Sequence, residues 1–220
     1  LINFLYLHGF ASSPLSRKAK FFEAAIREAG WKCHTPDLNL PTFEKLSISA
    51  QMESCLALAS TFDDDPLVLV GSSMGGLLAA LLYERLPQTV AIILLAPGFG
   101  IAERWPALIG EEGMKEWETS GTRSFFHYRA GCELPLHFGF ARELSNLKTD
   151  DFILEIPTLV FHGVDDQTVP VEYARKFARQ NPTWASLVEL NDGHELAESL
   201  ERIWTDSQKF VQTFVMQRQI

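Results

Sequence analysis

The chain is short of cysteine, of positive charge and of long apolar runs, and each shortage excludes something. Cys33, Cys55 and Cys132 are odd in number, widely separated and form no C-x-x-C pair. That argues against a disulfide framework and suits a reducing compartment, with each thiol a small buried residue. Lys and Arg number 19 against 28 Asp and Glu, a net charge of −9. Non-specific nucleic-acid binding rests on neutralising phosphates, so this balance argues against it. No apolar run approaches a membrane span in length. The opening residues 1–7 are apolar but show no basic leader and no cleavage-type segment. They read as a strand rather than a signal peptide, and the expected location is the cytoplasm. The six histidines fall into no H-E-x-x-H or similar ligand spacing, so neither metal nor cofactor is expected.

What is present is an ordinary globular composition, 46% hydrophobic and 21% charged over 220 residues. That is enough chain for one well-filled core. Apolar β-branched runs alternate with helical patterns. Strands are expected at residues 2–7, 31–35, 67–70, 90–96, 157–162 and 185–190. Ser13-Pro14 reads as the N-cap and first position of a helix that Gly30 ends. A second helix is expected at residues 47–61, and others after residues 75 and 170. The last helix is expected to start near Glu195, with Leu200, Ile203, Trp204, Ser207, Val211, Phe214 and Val215 on one face. Strands separated by helices imply an α/β protein: a mostly parallel six-stranded sheet with helices on both faces. Ligands then bind outside the carboxyl ends of the strands.

One interval breaks the rhythm. Residues 98–156 separate two strands by far more chain than a crossover needs. They divide the chain into a core of residues 1–97 and 157–220 and an inserted cap above the sheet edge. The cap is expected to hold a helix at 104–118 and a hairpin formed by 124–128 and 134–140. Of its aromatics, Phe99, Trp105, Phe126 and Phe138 are the candidate substrate contacts, while others pack the cap's own core.

The chemistry centres on Val68-Leu69-Val70-Gly71-Ser72-Ser73-Met74-Gly75-Gly76-Leu77. An apolar strand must turn sharply here into a small-residue helix. G-x-S-x-G removes side chains on both sides of the bend, so the serine projects at the strand end. Only Ser73 has glycine at both −2 and +2, which rejects Ser72 as the nucleophile. An acyl-transfer serine needs a base, a group that orients the base, and donors for an oxyanion. His194 occupies the loop after the last strand and is the candidate base. His162 ends an apolar strand and reads as structural. Asp165 and Asp166 follow that strand, and either could orient an imidazole. The Met74 amide and the Phe10 amide, in Leu7-His8-Gly9-Phe10, are the expected oxyanion donors. Arg17, Lys18 and Lys20 could attract an anionic group, but a solvated helix face is the expectation.

Together G-S-S-M-G, L-H-G-F, H-G-V-D-D-Q-T-V-P and D-G-H resemble the α/β-hydrolase superfamily. Leu7-His8-Gly9-Phe10-Ala11-Ser12-Ser13-Pro14 makes the chain most similar to the small YqiA-like bacterial esterases and their cyanobacterial relatives. The resemblance implies a minimal sheet lacking the superfamily's usual two N-terminal strands. It puts the nucleophile on Ser73, the base on His194 and, through H-G-x-x-D, the acid on Asp166. The expected activity is that of a carboxylesterase-type serine hydrolase. It would cleave small-molecule esters of small or hydrophobic acyl groups through an acyl-enzyme. A thioesterase with the same triad and a non-catalytic ligand-binding protein on the same fold are the alternatives.

Overall fold

A computed structural model describes residues 2–216, with side chains described through Phe214. Six strands build the sheet: the four inner ones are buried along their whole length, as strands covered on both faces must be, while the two edge strands are only partly buried. The six are β1 (Asn3–Leu7), β2 (Lys32–His34), β3 (Leu67–Ser72), β4 (Thr89–Leu95), β7 (Thr158–Gly163) and β8 (Ala185–Leu190). They form one parallel sheet in the order β2-β1-β3-β4-β7-β8. Side chains alternate across it with period two. Phe4, Tyr6, Val68, Val70, Ile93 and Phe161 face α1 (Arg17–Glu28) and α7 (Leu200–Met216). Leu5, Leu7, Leu69, Leu94 and Val160 face the other way. There they meet α2 (Ile48–Ala59), α3 (Met74–Tyr83) and α6 (Val171–Gln180).

Helix boundaries correct the sequence reading in two places. Ser16, not Ser13, caps α1, accepting the Ala19 N–H at 3.3 Å. Ser13 is spent one turn earlier, where its hydroxyl accepts from Leu15 N–H. The last helix starts at Leu200 rather than near Glu195. Leu196 has φ 53°, which no right-handed helix accommodates, and residues before Leu200 form turns instead. Of the apolar face expected on α7, Leu200, Ile203, Ser207 and Val211 are buried; the side chain of Val215 lies outside the described residues.

Between β4 and β7 runs the long segment. It forms α4 (Ile101–Ser120), the antiparallel hairpin β5 (Thr122–His127) and β6 (Cys132–His137), and α5 (Gly139–Ser145). The hairpin is shorter than expected at its second strand. Phe138 turns into α5, whose Phe140, Ala141 and Leu144 are buried. α4 is bent at Gly110 (φ 80°, ψ 158°). Cys33 and Cys55 are buried as expected, but Cys132 is exposed at the hairpin end.

Several contacts tie the segment to the rest of the chain, and three involve the loops and helix starts near the open sheet edge. Phe10, after β1, inserts its ring among Phe43, Trp105, Phe125 and Phe140. The Tyr128 N–H donates to the Ala11 carbonyl oxygen at 3.0 Å. Glu143 of α5 reaches the start of α2, accepting the Ile48 N–H at 2.9 Å and the Ser49 N–H at 2.7 Å. A carboxylate on free helix-end N–H groups is favourable by charge and by hydrogen bonding. Glu143→Ala should therefore cost about 1 kcal/mol in urea unfolding, at the usual size of a lost N-terminal cap, and Glu143→Gln less.

Candidate active site

Because the sheet is parallel, the loops after β1, β3, β7 and β8 open on one edge. Ser73 stands at the bend between β3 and α3 with φ 53° and ψ −118°, a region that non-glycine residues seldom occupy. The bend is pinned: Ser73 N–H donates to Leu95 O, and Ser73 O accepts from Gly76 N–H at 2.8 Å and Gly98 N–H at 2.7 Å. Both flanking glycines are required by contact. A Cβ at Gly71 would collide with the Gly75 backbone, and one at Gly75 with the Leu7 carbonyl.

The structure brings Ser73, His194 and Asp166 into one line. His194 Nε2 lies 3.0 Å from Ser73 Oγ. His194 Nδ1 lies 2.7 Å from Asp166 Oδ2. With the proton on Nδ1, held by the carboxylate, Nε2 is free to accept from the serine hydroxyl. Asp166 is the buried member of the acidic pair and Asp165 the exposed one. Asp166 Oδ1 accepts the Thr168 and Val169 N–H groups, each at 2.8 Å. The acid is thus held on both oxygens. Burial would raise the Asp166 carboxyl, but hydrogen bonds from His162, His194 and the Val169 N–H outweigh it and hold it well below the usual carboxylate range.

His162 is fully buried behind this acid. Its Nε2–H donates to Val169 O at 2.8 Å and stands 3.2 Å from Asp166 Oδ2. That is the structural part the sequence suggested, with contact to the acid as an addition. His8 has a similar task on the opposite side. Its Nδ1–H donates to Gly9 O at 2.9 Å, and its Nε2 accepts from Leu38 N–H at 2.9 Å. Burial lowers the His8 pKa, which keeps the neutral imidazole that this pairing demands. Fixing the Gly9 carbonyl also fixes the plane of the peptide that carries the Phe10 N–H. The backbone of this loop runs close to the serine: a Cβ on Gly9 would lie 3.2 Å from the Ser73 Cβ. The Met74 N–H opens α3 on the other flank.

A cavity of about 770 Å³ opens over Ser73 and His194. Its aromatic lining is Tyr6, Phe10 and Tyr128. None of the four cap aromatics expected to touch substrate lines it. Phe99 is buried against Phe152 and Phe177. Trp105 stacks on Phe125 at 5.5 Å, and Phe138 meets Trp117 edge-on. Those two border a separate cavity of about 230 Å³ between α4 and α5. Phe126 is half exposed and leans on Tyr128 at the hairpin end. The aromatics pack one another and the Phe10 ring, because burying them together removes more apolar surface than lining a wet cleft. Nothing in its sequence neighbourhood marks Tyr128 out as a cavity residue.

Lys18 departs from the solvated helix face expected of it. It is buried and lines the cavity, whereas Arg17 and Lys20 are exposed. The signal was there: Lys18 stands four residues before Phe22 and eight before Ile26, on the face of α1 that meets the sheet. Ser72, which the glycine spacing excludes as nucleophile, is buried at the cavity wall that Tyr6 also lines. Burial pushes the Tyr6 phenol up, so it stays protonated. Among the described residues no group of three or more His, Cys, Asp or Glu side chains is arranged to hold a metal ion. No helix among them is long and apolar enough to cross a membrane.

Comparison with known proteins follows the same outline. The model of a family described as Uncharacterised protein family (UPF0227) matches residues 3–211. None of the curated proteins matches the sequence. Among solved structures, a protein of Agrobacterium vitis S4 superposes with a TM-score of 0.82 at 20% identity, covering 96% of this chain and 88% of its own. Alpha/beta hydrolase domain-containing protein 10 from mouse gives 0.77 at 19% identity, covering 96% and 90%. Est1E from Butyrivibrio proteoclasticus, with ferulic acid bound, gives 0.78 at 18% identity, covering 98% and 90%. At such identities the likeness concerns the fold, and the fold is that of the α/β hydrolases.

Proposed function

The chain belongs to the UPF0227 family, and from that premise and its site geometry we propose a serine hydrolase that cleaves carboxylic esters through an acyl-enzyme. The observation that carries the reading is the unbroken hydrogen-bonded line from Ser73 Oγ through His194 to Asp166. Nucleophile, base and orienting acid are recognised by such roles and distances rather than by fold.

The steps follow from the atoms in place. Ser73 Oγ attacks the acyl carbon while its proton passes to His194 Nε2. The negative charge that develops on the carbonyl oxygen is met by the Phe10 and Met74 N–H groups. His194 Nε2–H then protonates the departing alkoxide, leaving Ser73 acylated. Water enters, gives its proton to His194 and attacks the ester, and Ser73 leaves with that proton restored. Asp166 stays ionised throughout and stabilises the imidazolium. No cofactor or metal takes part in this scheme, and the cytoplasm is the proposed setting.

Residues 98–156 act in this reading as a cap. They hold the Phe10 ring and bring Tyr128 to the cavity. Oxygen esters with small or apolar acyl groups are the proposed substrates, and the matched thioesters the competing class. Comparing kcat/KM for 4-nitrophenyl butyrate and a butyryl thioester tests this. Higher values for the oxygen ester are expected. Preference for the thioester would reassign the chain as a thioesterase, and turnover of neither would favour a ligand-binding protein.

A further inference from the structure

Lys18 is an ammonium in the wrong place for a solubilising charge. It sits in the first turn of α1 and is 8% exposed. It lines the same cavity as Ser73 and His194. Burial of a cation is costly unless its donors are matched. A lysine has three N–H donors to place. Its two contacts are long: Nζ is 3.5 Å from the His194 carbonyl oxygen and 3.6 Å from Glu195 Oε2. Glu195 is a solvated partner, with its side chain 76% exposed. It is the one carboxylate within ion-pair distance of Lys18 among the described residues.

The neighbouring acids are already taken. Asp192 accepts the Gly193 and Glu198 N–H groups. Asp166 accepts two backbone N–H groups and the His194 imidazole. Burial draws the Lys18 pKa down, and Glu195 is the first influence opposing it. A net charge of −9 repels anionic substrates at long range, so any anion drawn to this cavity needs a local cation. The exposed Arg17 borders the same wall and adds to that field.

We propose that Lys18 is a specificity-determining residue, pairing with a carboxylate carried by the ester substrate while Ser73 engages the ester carbonyl. The proposal rests on the hydrolase reading above and changes the substrate class in one respect, adding a carboxylate: monoesters of dicarboxylic acids, in place of purely apolar acyl groups, or esters of hydroxy acids. The carboxylate could belong to the acyl half or the alcohol half. Two matched pairs separate these cases: monoethyl adipate against ethyl hexanoate, and 4-butyryloxybenzoate against 4-butyryloxybenzamide.

In the pair that matches the site, the anionic ester should exceed its neutral partner about tenfold or more in kcat/KM, the scale of one charge-assisted contact. Lys18→Met keeps the stem and removes the charge, and that ratio should collapse toward one. Lys18→Arg should keep most of it. A ratio near one in the wild type for both pairs would overturn the proposal. So would a ratio that survives Lys18→Met while both rates fall together, since Lys18 would then only brace the His194 loop. Binding of the benzoate and benzamide to Ser73→Ala protein, followed by calorimetry, and of the adipate and hexanoate esters likewise, needs no turnover. A carboxylate preference there that Lys18→Met abolishes supports the proposal even if no ester is hydrolysed, which would bring down the hydrolase reading alone. No preference in either pair overturns the proposal.

Discussion

Ser73→Ala should lower kcat on any ester substrate by about 10⁴-fold or more, the scale seen when a triad nucleophile is removed. Alanine deletes one hydroxyl and keeps the Cβ, so the strained backbone at φ 53° is retained rather than relieved. The pins at Leu95 O, Gly76 N–H and Gly98 N–H are all backbone and survive the change. Thermal unfolding should therefore shift little. A large loss of activity at nearly constant Tm separates chemistry from folding. Parallel loss of both would point to the elbow's packing instead.

Asp166→Asn should come close to the same effect, lowering kcat by about 10³- to 10⁴-fold, as with other triad acids. The cause is tautomeric. Asp166 Oδ2 holds the proton on His194 Nδ1 at 2.7 Å. An asparagine already accepting the Thr168 and Val169 N–H groups through its oxygen turns its NH₂ toward the imidazole. His194 then accepts at Nδ1 and carries its proton on Nε2, facing Ser73 Oγ with a donor where an acceptor is needed.

The same carboxylate links stability to pH. Its folded pKa is depressed below the ordinary 3.8, so its contribution is fully present above that value. It is lost as pH falls through the folded pKa, because the unfolded chain takes up the proton first. Wild-type stability should fall with acidification below about pH 4 from this source. Asp166→Asn should show a shallower fall over that window by urea unfolding. A slope unchanged by the substitution would mean that other carboxylates govern acid sensitivity.

The parts legible in the sequence are those where the backbone dictates residue type. A bend that brings Gly71 against Gly75 and Gly75 against Leu7 admits no side chain, so G-x-S-x-G betrays itself. Buried parallel strands write continuous apolar runs, as the four inner strands do. The neighbours Asp165 and Asp166 were not separable by pattern, since both follow β7. What distinguishes them is a turn that places the Thr168 and Val169 N–H groups on Asp166 Oδ1. The long segment between β4 and β7 was legible as an aromatic break in the strand–helix rhythm, but composition does not say which way a ring faces. Its rings turned to one another and to Phe10, and the cavity went to Tyr128. Lys18 is legible only through its spacing with Phe22 and Ile26, which puts it on the buried face of α1 despite its charge.

The most direct test of the central claim is covalent labelling with a fluorophosphonate, with the adduct located by peptide mass spectrometry. The site described here predicts one adduct per chain, on Ser73, formed in step with the loss of ester turnover. It should be absent in Ser73→Ala and much slower in Asp166→Asn. Failure of Ser73 to react, or an adduct on Ser73 that leaves ester turnover intact, would contradict the account.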